Sequence, residues 1–76
     1  MDTQKLEIFV SYYSYLENGQ STISILHCDK DWCKDKPYYI SANGGVAMMW
    51  MDEAEVAEVA KICIKNKVRI DTINKH

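Results

Sequence analysis

Residues 6–28 read LEIFVSYYSYLENGQSTISILHC, and the fold turns on how this stretch is divided. Its centre is Glu17-Asn18-Gly19-Gln20. Asn-Gly supplies the two positive φ angles of a two-residue type I′ turn, the strongest short-range signal for a β-hairpin. Upstream, Leu6, Ile8, Val10, Tyr12 and Leu16 fall on alternate positions, with Ser14 as the polar gap. Period two predicts a strand. Downstream, Ser21 to Cys28 forms a second run with Ile23 and Ile25 in alternation. With Glu17 facing Gln20, paired residue numbers add to 37. Tyr12 then faces Ile25, Ser14 faces Ile23 and Val10 faces His27. The apolar rows of both strands share a face, and a slip of one residue would destroy the match.

Outward from the hairpin, residues 29–36 alternate in charge without a period and predict a loop. Pro37 closes it and is suited to opening an edge strand. Tyr38 to Ala42 is a short β-rich run. Asn43-Gly44-Gly45 is a second hairpin signal, and Val46 to Met51 is a fourth strand. The period then changes. Asp52 can cap a helix, and Glu55 stands at capping-box spacing. Val56, Val59, Ala60, Cys63 and Ile64 form one apolar arc at about 100° per residue. Ile62 lies off that arc and reads either as a contact for the C-terminal segment or as an exposed anchor. Glu53, Glu55 and Glu58 come early and Lys61 and Lys65 late, which complements the helix dipole. These features predict a helix over 52–66 that Asn66 can end. Val68, Ile70 and Thr72 alternate as a last strand.

The expected fold is therefore α+β: an antiparallel β-meander of four strands, or of five where 68–72 adds a last one, with one α-helix packed on one face. The chain has 76 residues, 47% hydrophobic and 26% charged. That makes 1–76 a single small α+β domain and excludes a two-domain enzyme, a solenoid array and a disordered chain. The longest apolar run, Val46 to Met51, is too short to span a bilayer. The N-terminus lacks the basic and apolar regions of a secretory signal. Three cysteines, Cys28, Cys33 and Cys63, are an odd count, and reduced thiols in a cytoplasmic protein are the expectation.

Catalytic and metal signatures are weak. His27, Cys28 and Cys33 are close, with Cys63 and His76 distant, but structural zinc sites show paired short spacings. His27 and Cys28 would also point to opposite faces of a strand. Asp29, Asp31 and Asp35 lack the glycine and terminal Glu of a calcium loop. Asn43-Gly44-Gly45 is too short to cradle a phosphate, and no dinucleotide fingerprint is present. No thiol has a strong base beside it other than His27. The expectation is a non-enzymatic protein with no cofactor and no metal.

The formal net charge is −2. No basic patch is visible, so duplex nucleic acid is not an expected partner. In the predicted register Phe9, Ser11, Tyr13 and Tyr15 point away from the helix. In the second hairpin the open-side row is either Tyr39, Ser41, Val46, Met48 and Trp50 or the alternative Tyr38, Ile40, Ala47, Met49 and Met51. One helix covers one face, so bulky residues remain on the other under either choice. Such a surface is either an ordinary wet sheet face or a site of association. Trp32, in the charged loop, reads either as a side chain folded back over the sheet edge or as an anchor for a partner.

The expected partner-binding residues are Phe9, Tyr13, Tyr15 and Trp32, with Glu53, Glu55 and Glu58 able to meet a basic partner. The expected function is a small acidic protein-binding module. A chain beginning at Met1 with no appended domain reads as stand-alone, and the specific expectation for that class is a phage- or mobile-element-encoded inhibitor, anti-CRISPR-like, occupying a surface of a bacterial defence complex. A face-to-face homodimer would use the same rings. The alternatives are a single-stranded nucleic-acid binder stacking bases on Phe9, Tyr13 and Tyr15, and a metal-tied or redox module through Cys28 and Cys33.

Overall fold

The computed structural model describes residues 3–41 and 47–73. The chain is α+β: a largely antiparallel sheet with helices on one side. The order is α1 (Thr3–Tyr13), β1 (Tyr15–Glu17), β2 (Gln20–His27), a 3-10 turn (Asp31–Cys33), β3 (Tyr38–Ser41), β4 (Ala47–Met51), α2 (Glu53–Asn66) and β5 (Arg69–Ile73).

The Asn-Gly turn forms as the sequence predicts. Asn18 and Gly19 have φ of 55° and 77°. β1 and β2 pair as Glu17↔Gln20, Leu16↔Ser21 and Tyr15↔Thr22, which is the expected register. The pairing stops there. The expected strand from Leu6 is corrected: Thr3–Tyr13 is an α-helix, so Tyr12, Ser14 and Val10 have no partners on β2. The stretch from Leu6 to Tyr13 is apolar at too many positions for period two to exclude the helical stripe at 6, 10 and 13. Packing decides between them. Leu6 and Val10 are buried and Tyr13 packs against the core, while Ile8 and Tyr12 are exposed. The described residues therefore hold two α-helices.

β2 is the hub of the sheet. It pairs antiparallel with β1 at one end and with β3 at the other, through Ile25↔Ile40, Leu26↔Tyr39 and His27↔Tyr38. It pairs parallel with β5 from Thr22↔Arg69 to Leu26↔Ile73. Thr22 is paired with both β1 and β5, and Leu26 with both β3 and β5. A strand has only two edges, so β1 and β3 lie along one and β5 along the other. β3 also pairs antiparallel with β4, so it is an interior strand. Pro37, expected to open an edge strand, stands just before it, where its carbonyl accepts from the Cys28 N–H at 2.7 Å. The second turn, Asn43-Gly44-Gly45, lies outside the described residues.

α2 follows its signals. Asp52 caps the Glu55 N–H at 2.8 Å and the Glu55 carboxylate returns to the Asp52 N–H at 2.9 Å, a complete capping box. The helix ends at Asn66, and Lys67 adopts the left-handed C-cap conformation with φ of 60°. Its buried face is rotated from the expected arc: Val59, Ile62 and Cys63 are buried, whereas Ile64 is 80% exposed. The cause is α1, which packs beside α2 and gives Ile62 an apolar neighbourhood.

Ile23, Ile25, Ile40 and Met51 from the sheet join Leu6, Val10, Val59, Ile62 and Cys63 in one core. Tyr38 and Met49, from the same face, pack against it. Both helices therefore cover one face of the sheet, and none covers the other among the described residues. No helix among them is long and apolar enough to cross a membrane.

Candidate functional site: the uncovered sheet face

Strand alternation assigns the uncovered face. Tyr38, Ile40, Met49 and Met51 look toward the helices, so Tyr39 and Trp50, paired with each other, look away. Leu26, opposite Tyr39 on β2, shares their side. The choice between the two rows of the second hairpin is thus settled where it is described. Core contact selects Ile40 and Met51, which have no polar atom to satisfy, and leaves out Tyr39 and Trp50, each with a polar tip.

Three rings assemble there. Tyr39 and Trp50 have centroids 4.6 Å apart at an interplanar angle of 40°. Trp32 meets Trp50 edge-to-face, with centroids 5.5 Å apart at 71°. Trp32 reaches this place because the loop after β2 is pinned. Cys28, just past the end of β2, is disulfide-bonded to Cys33, with the Cα atoms 6.4 Å apart. The 3-10 turn Asp31–Cys33 brings the second sulfur back, and Trp32 lies immediately before it. The expectation of three reduced thiols is corrected. The odd count concealed one local pair and one buried free thiol, Cys63. Burial raises the Cys63 pKa by desolvating the thiolate.

The other end of this face is closed by polar contacts. Arg69, opposite Thr22 on β5, pairs with Glu17 on β1 through Nη2–Oε1 at 2.7 Å, so the pair bridges β2. Tyr15 lies beside Thr22 and shares a hydrogen bond of 2.9 Å with the Ser24 hydroxyl. Thr22, a polar residue on the side without helices, is fully buried. Its hydroxyl donates to the Gln20 carbonyl at 3.1 Å. The open face thus has a sealed polar end and an aromatic end.

The expected site residues do not form one surface. Tyr15 and Trp32 lie on the uncovered face. Phe9 and Tyr13 lie on α1, stacked on each other at 5.5 Å and 19°, and Tyr13 packs against the core. Their expected place beside Tyr15 fails with the strand that would have carried them. Glu53 is exposed at the start of α2. Glu55 is engaged by the capping box and by Lys36 at 3.3 Å, and Glu58 by Lys61 at 3.4 Å. In sequence Tyr39 and Trp50 are only members of one of two alternative rows and are not among the expected site residues. Their signal was the contrast with Ile40 and Met51.

A second surface carries exposed apolar groups. Ile8 and Tyr12 stand one turn apart on α1, 61% and 75% exposed. They border a wide hollow of about 810 Å³ whose lining includes Gln4, Glu7, Ser11 and Asn66. It lacks packed rings, and its rim carries the Glu7–Lys65 ion pair at 3.3 Å. Among the described residues no group of three His, Cys, Asp or Glu side chains could hold a metal ion. With their sulfurs bonded to each other, Cys28 and Cys33 are not thiolate ligands. Compared with family models, curated proteins and solved structures, the chain matches none.

Proposed function

We propose that the protein is a small binding module that engages a protein partner through the aromatic end of its uncovered sheet face. The observation that carries this reading is Trp32. It is 74% exposed, yet it is anchored by the disulfide beside it and packed on Trp50. An exposed indole held in one place loses little conformational freedom on binding, and Trp and Tyr dominate protein-interface energetics. Tyr39 and Leu26 extend the apolar area.

The charge around the rings favours protein over nucleic acid. Residues 29–36 contain three Asp and three Lys, so the loop bearing Trp32 has no net positive charge. A single-strand binder needs a basic track beside its stacking rings. The mode of action is occupancy of the partner's surface, the mode expected of an inhibitor from a mobile element, and no reaction is assigned to it.

The test compares affinity capture by the wild-type chain with capture by a Trp32→Ala/Tyr39→Ala variant, alongside light scattering of the free proteins. The expected result is a partner lost from the variant, with affinity weakened by roughly 1–3 kcal/mol per anchor. A variant that keeps every partner and its oligomeric state reduces this face to an ordinary wet sheet surface. A wild-type dimer that the variant converts to monomer makes the partner a second copy of the chain.

A further inference from the structure

The hollow beside the Trp32–Trp50 contact has a chemistry of its own. It is a hollow of about 260 Å³ lined by Trp32, Cys33, Asp35, Lys36 and Trp50. That is below the size of a site for a drug-sized ligand and suits a single headgroup. The two indoles meet at 71°, so they form a corner and not a slot. A nucleobase is flat and stacks best between parallel faces. A corner accommodates a rounded group that touches both rings.

Charge narrows the class further. The face of an indole is the negative part of its quadrupole, and it attracts a cation placed over it. Asp35 adds a full negative charge at the same hollow. Among the described residues Lys36 is the one cation in the lining, and its ammonium pairs with the Glu55 carboxylate on α2 at 3.3 Å. A bare ammonium would have to give up tightly held water in order to enter. A methylated ammonium is weakly hydrated and presents methyl groups that pack on aromatic faces.

We propose that the Trp32–Trp50 corner, with Asp35 as counter-charge, is a binding site for a methylated ammonium group. It goes beyond the docking of a protein on this face, since the hollow takes the headgroup whether or not a larger surface is engaged. The chemistry is shared by choline and by a trimethylated lysine side chain.

The experiment titrates the intact, oxidised protein with choline chloride at constant ionic strength, following the indole N–H signals of Trp32 and Trp50 by NMR. Saturable shifts of both signals in the millimolar range are expected. The neutral isostere 3,3-dimethylbutan-1-ol should bind at least about fivefold more weakly, the loss expected from one cation–π contact. Trp32→Ala removes an exposed loop side chain and should abolish the shift at Trp50. Asp35→Asn should weaken binding several-fold, and sodium chloride alone should do nothing. A second arm uses N-acetyl-trimethyl-lysine amide. Tighter binding than choline names a modified side chain as the source, and tighter binding of choline names a free headgroup; either supports the site. No saturable shift with either cation, equal binding of the neutral alcohol, or an unchanged response in Trp32→Ala would overturn it. Because the probes are small ions, failure here leaves the protein-docking experiment untouched, and the reverse also holds.

Discussion

The two faces of the sheet are made by the same strands and differ at alternate residues. Toward the helices stand Ile23, Ile25, Ile40 and Met51, none more than 2% exposed. Away from them stand Tyr39, Trp50 and Leu26, all only half-buried. Tyr39 and Ile40 are neighbours in the chain, yet one belongs to the core and the other to the candidate site. The difference teaches that in a domain this small the pleat itself divides stability from function. Thr22 shows the cost of mixing them. It is a buried polar group on the uncovered face, and it is accommodated only beside Tyr15 and the Arg69–Glu17 bridge.

The largest expected effect separates those neighbours. Ile40→Ala should cost about 2–5 kcal/mol, the range for a buried aliphatic truncated in a core. Tyr39→Ala should cost about 1 kcal/mol, since no core cavity is opened. Urea denaturation of both variants measures the gap. A larger loss at Tyr39 than at Ile40 would mean that the strand has the opposite face inward, and equal losses would remove the distinction between the faces.

Next is the tie that holds Trp32 to this face. Replacing Cys28 and Cys33 by Ser should lower stability by about 2 kcal/mol, the loop-closure value for so short a ring. Trp32 should lose its contact with Trp50, and tryptophan emission should shift to the red. Unchanged emission would show that the indole is held by packing alone.

On the covered side, Asp52→Ala removes the α2 cap and should cost about 1 kcal/mol. Thermal unfolding checks it, and a null result would place the start of α2 elsewhere.

Cys63 sharpens the comparison without mutation. Its pKa in the folded chain is raised above the ordinary 9.0 by burial. The unfolded thiol therefore ionises first, so this contribution is complete below pH 9, declines as pH rises above it, and is gone beyond the folded pKa. In the native protein at neutral pH the thiol should resist alkylation and react only after unfolding. Rapid labelling of the folded protein would contradict its place in the core.

The smallest effect is at the polar end of the open face. Glu17→Gln should change stability by no more than about 1 kcal/mol, because its pair with Arg69 is exposed and screened by salt. Stability measured at low and high ionic strength tests this.

Much of this fold is legible in the sequence wherever a local signal acts alone. Asn18-Gly19 determines its turn and three pairs of register, and Asp52 with Glu55 determines the start of α2. The alternation around Ile70 marks β5, although nothing local reveals that it runs parallel to β2. The N-terminal segment is ambiguous in sequence because its apolar residues satisfy both periods, and the helix wins because Leu6 and Val10 join one core with Val59, Ile62 and Cys63 far along the chain. The same long-range contact rotates the buried face of α2 from Ile64 to Ile62.

The site was legible in part. Trp32 stood out as an aromatic in a charged loop, and an uncovered sheet face followed from helix count. Among the described residues there are two α-helices on one side of the sheet, so the other face is still uncovered there, while Phe9 and Tyr13 lie on α1 and not on that face. Tyr39 and Trp50 required the pairing of Ile25 with Ile40, a contact between distant residues. The shift of register between Ile40 and Ser41 also breaks simple counting back from a turn.

The central claim is that the face without helices is the working one. Its most direct test places a photo-crosslinking amino acid at Tyr39 in one variant and at Ile64, exposed on α2, in another. Each is expressed in the cell of origin, irradiated and resolved by mass. A discrete protein adduct is expected from position 39 and none from position 64. An adduct from position 64 alone, or none from position 39 when the folded protein is present, would contradict it.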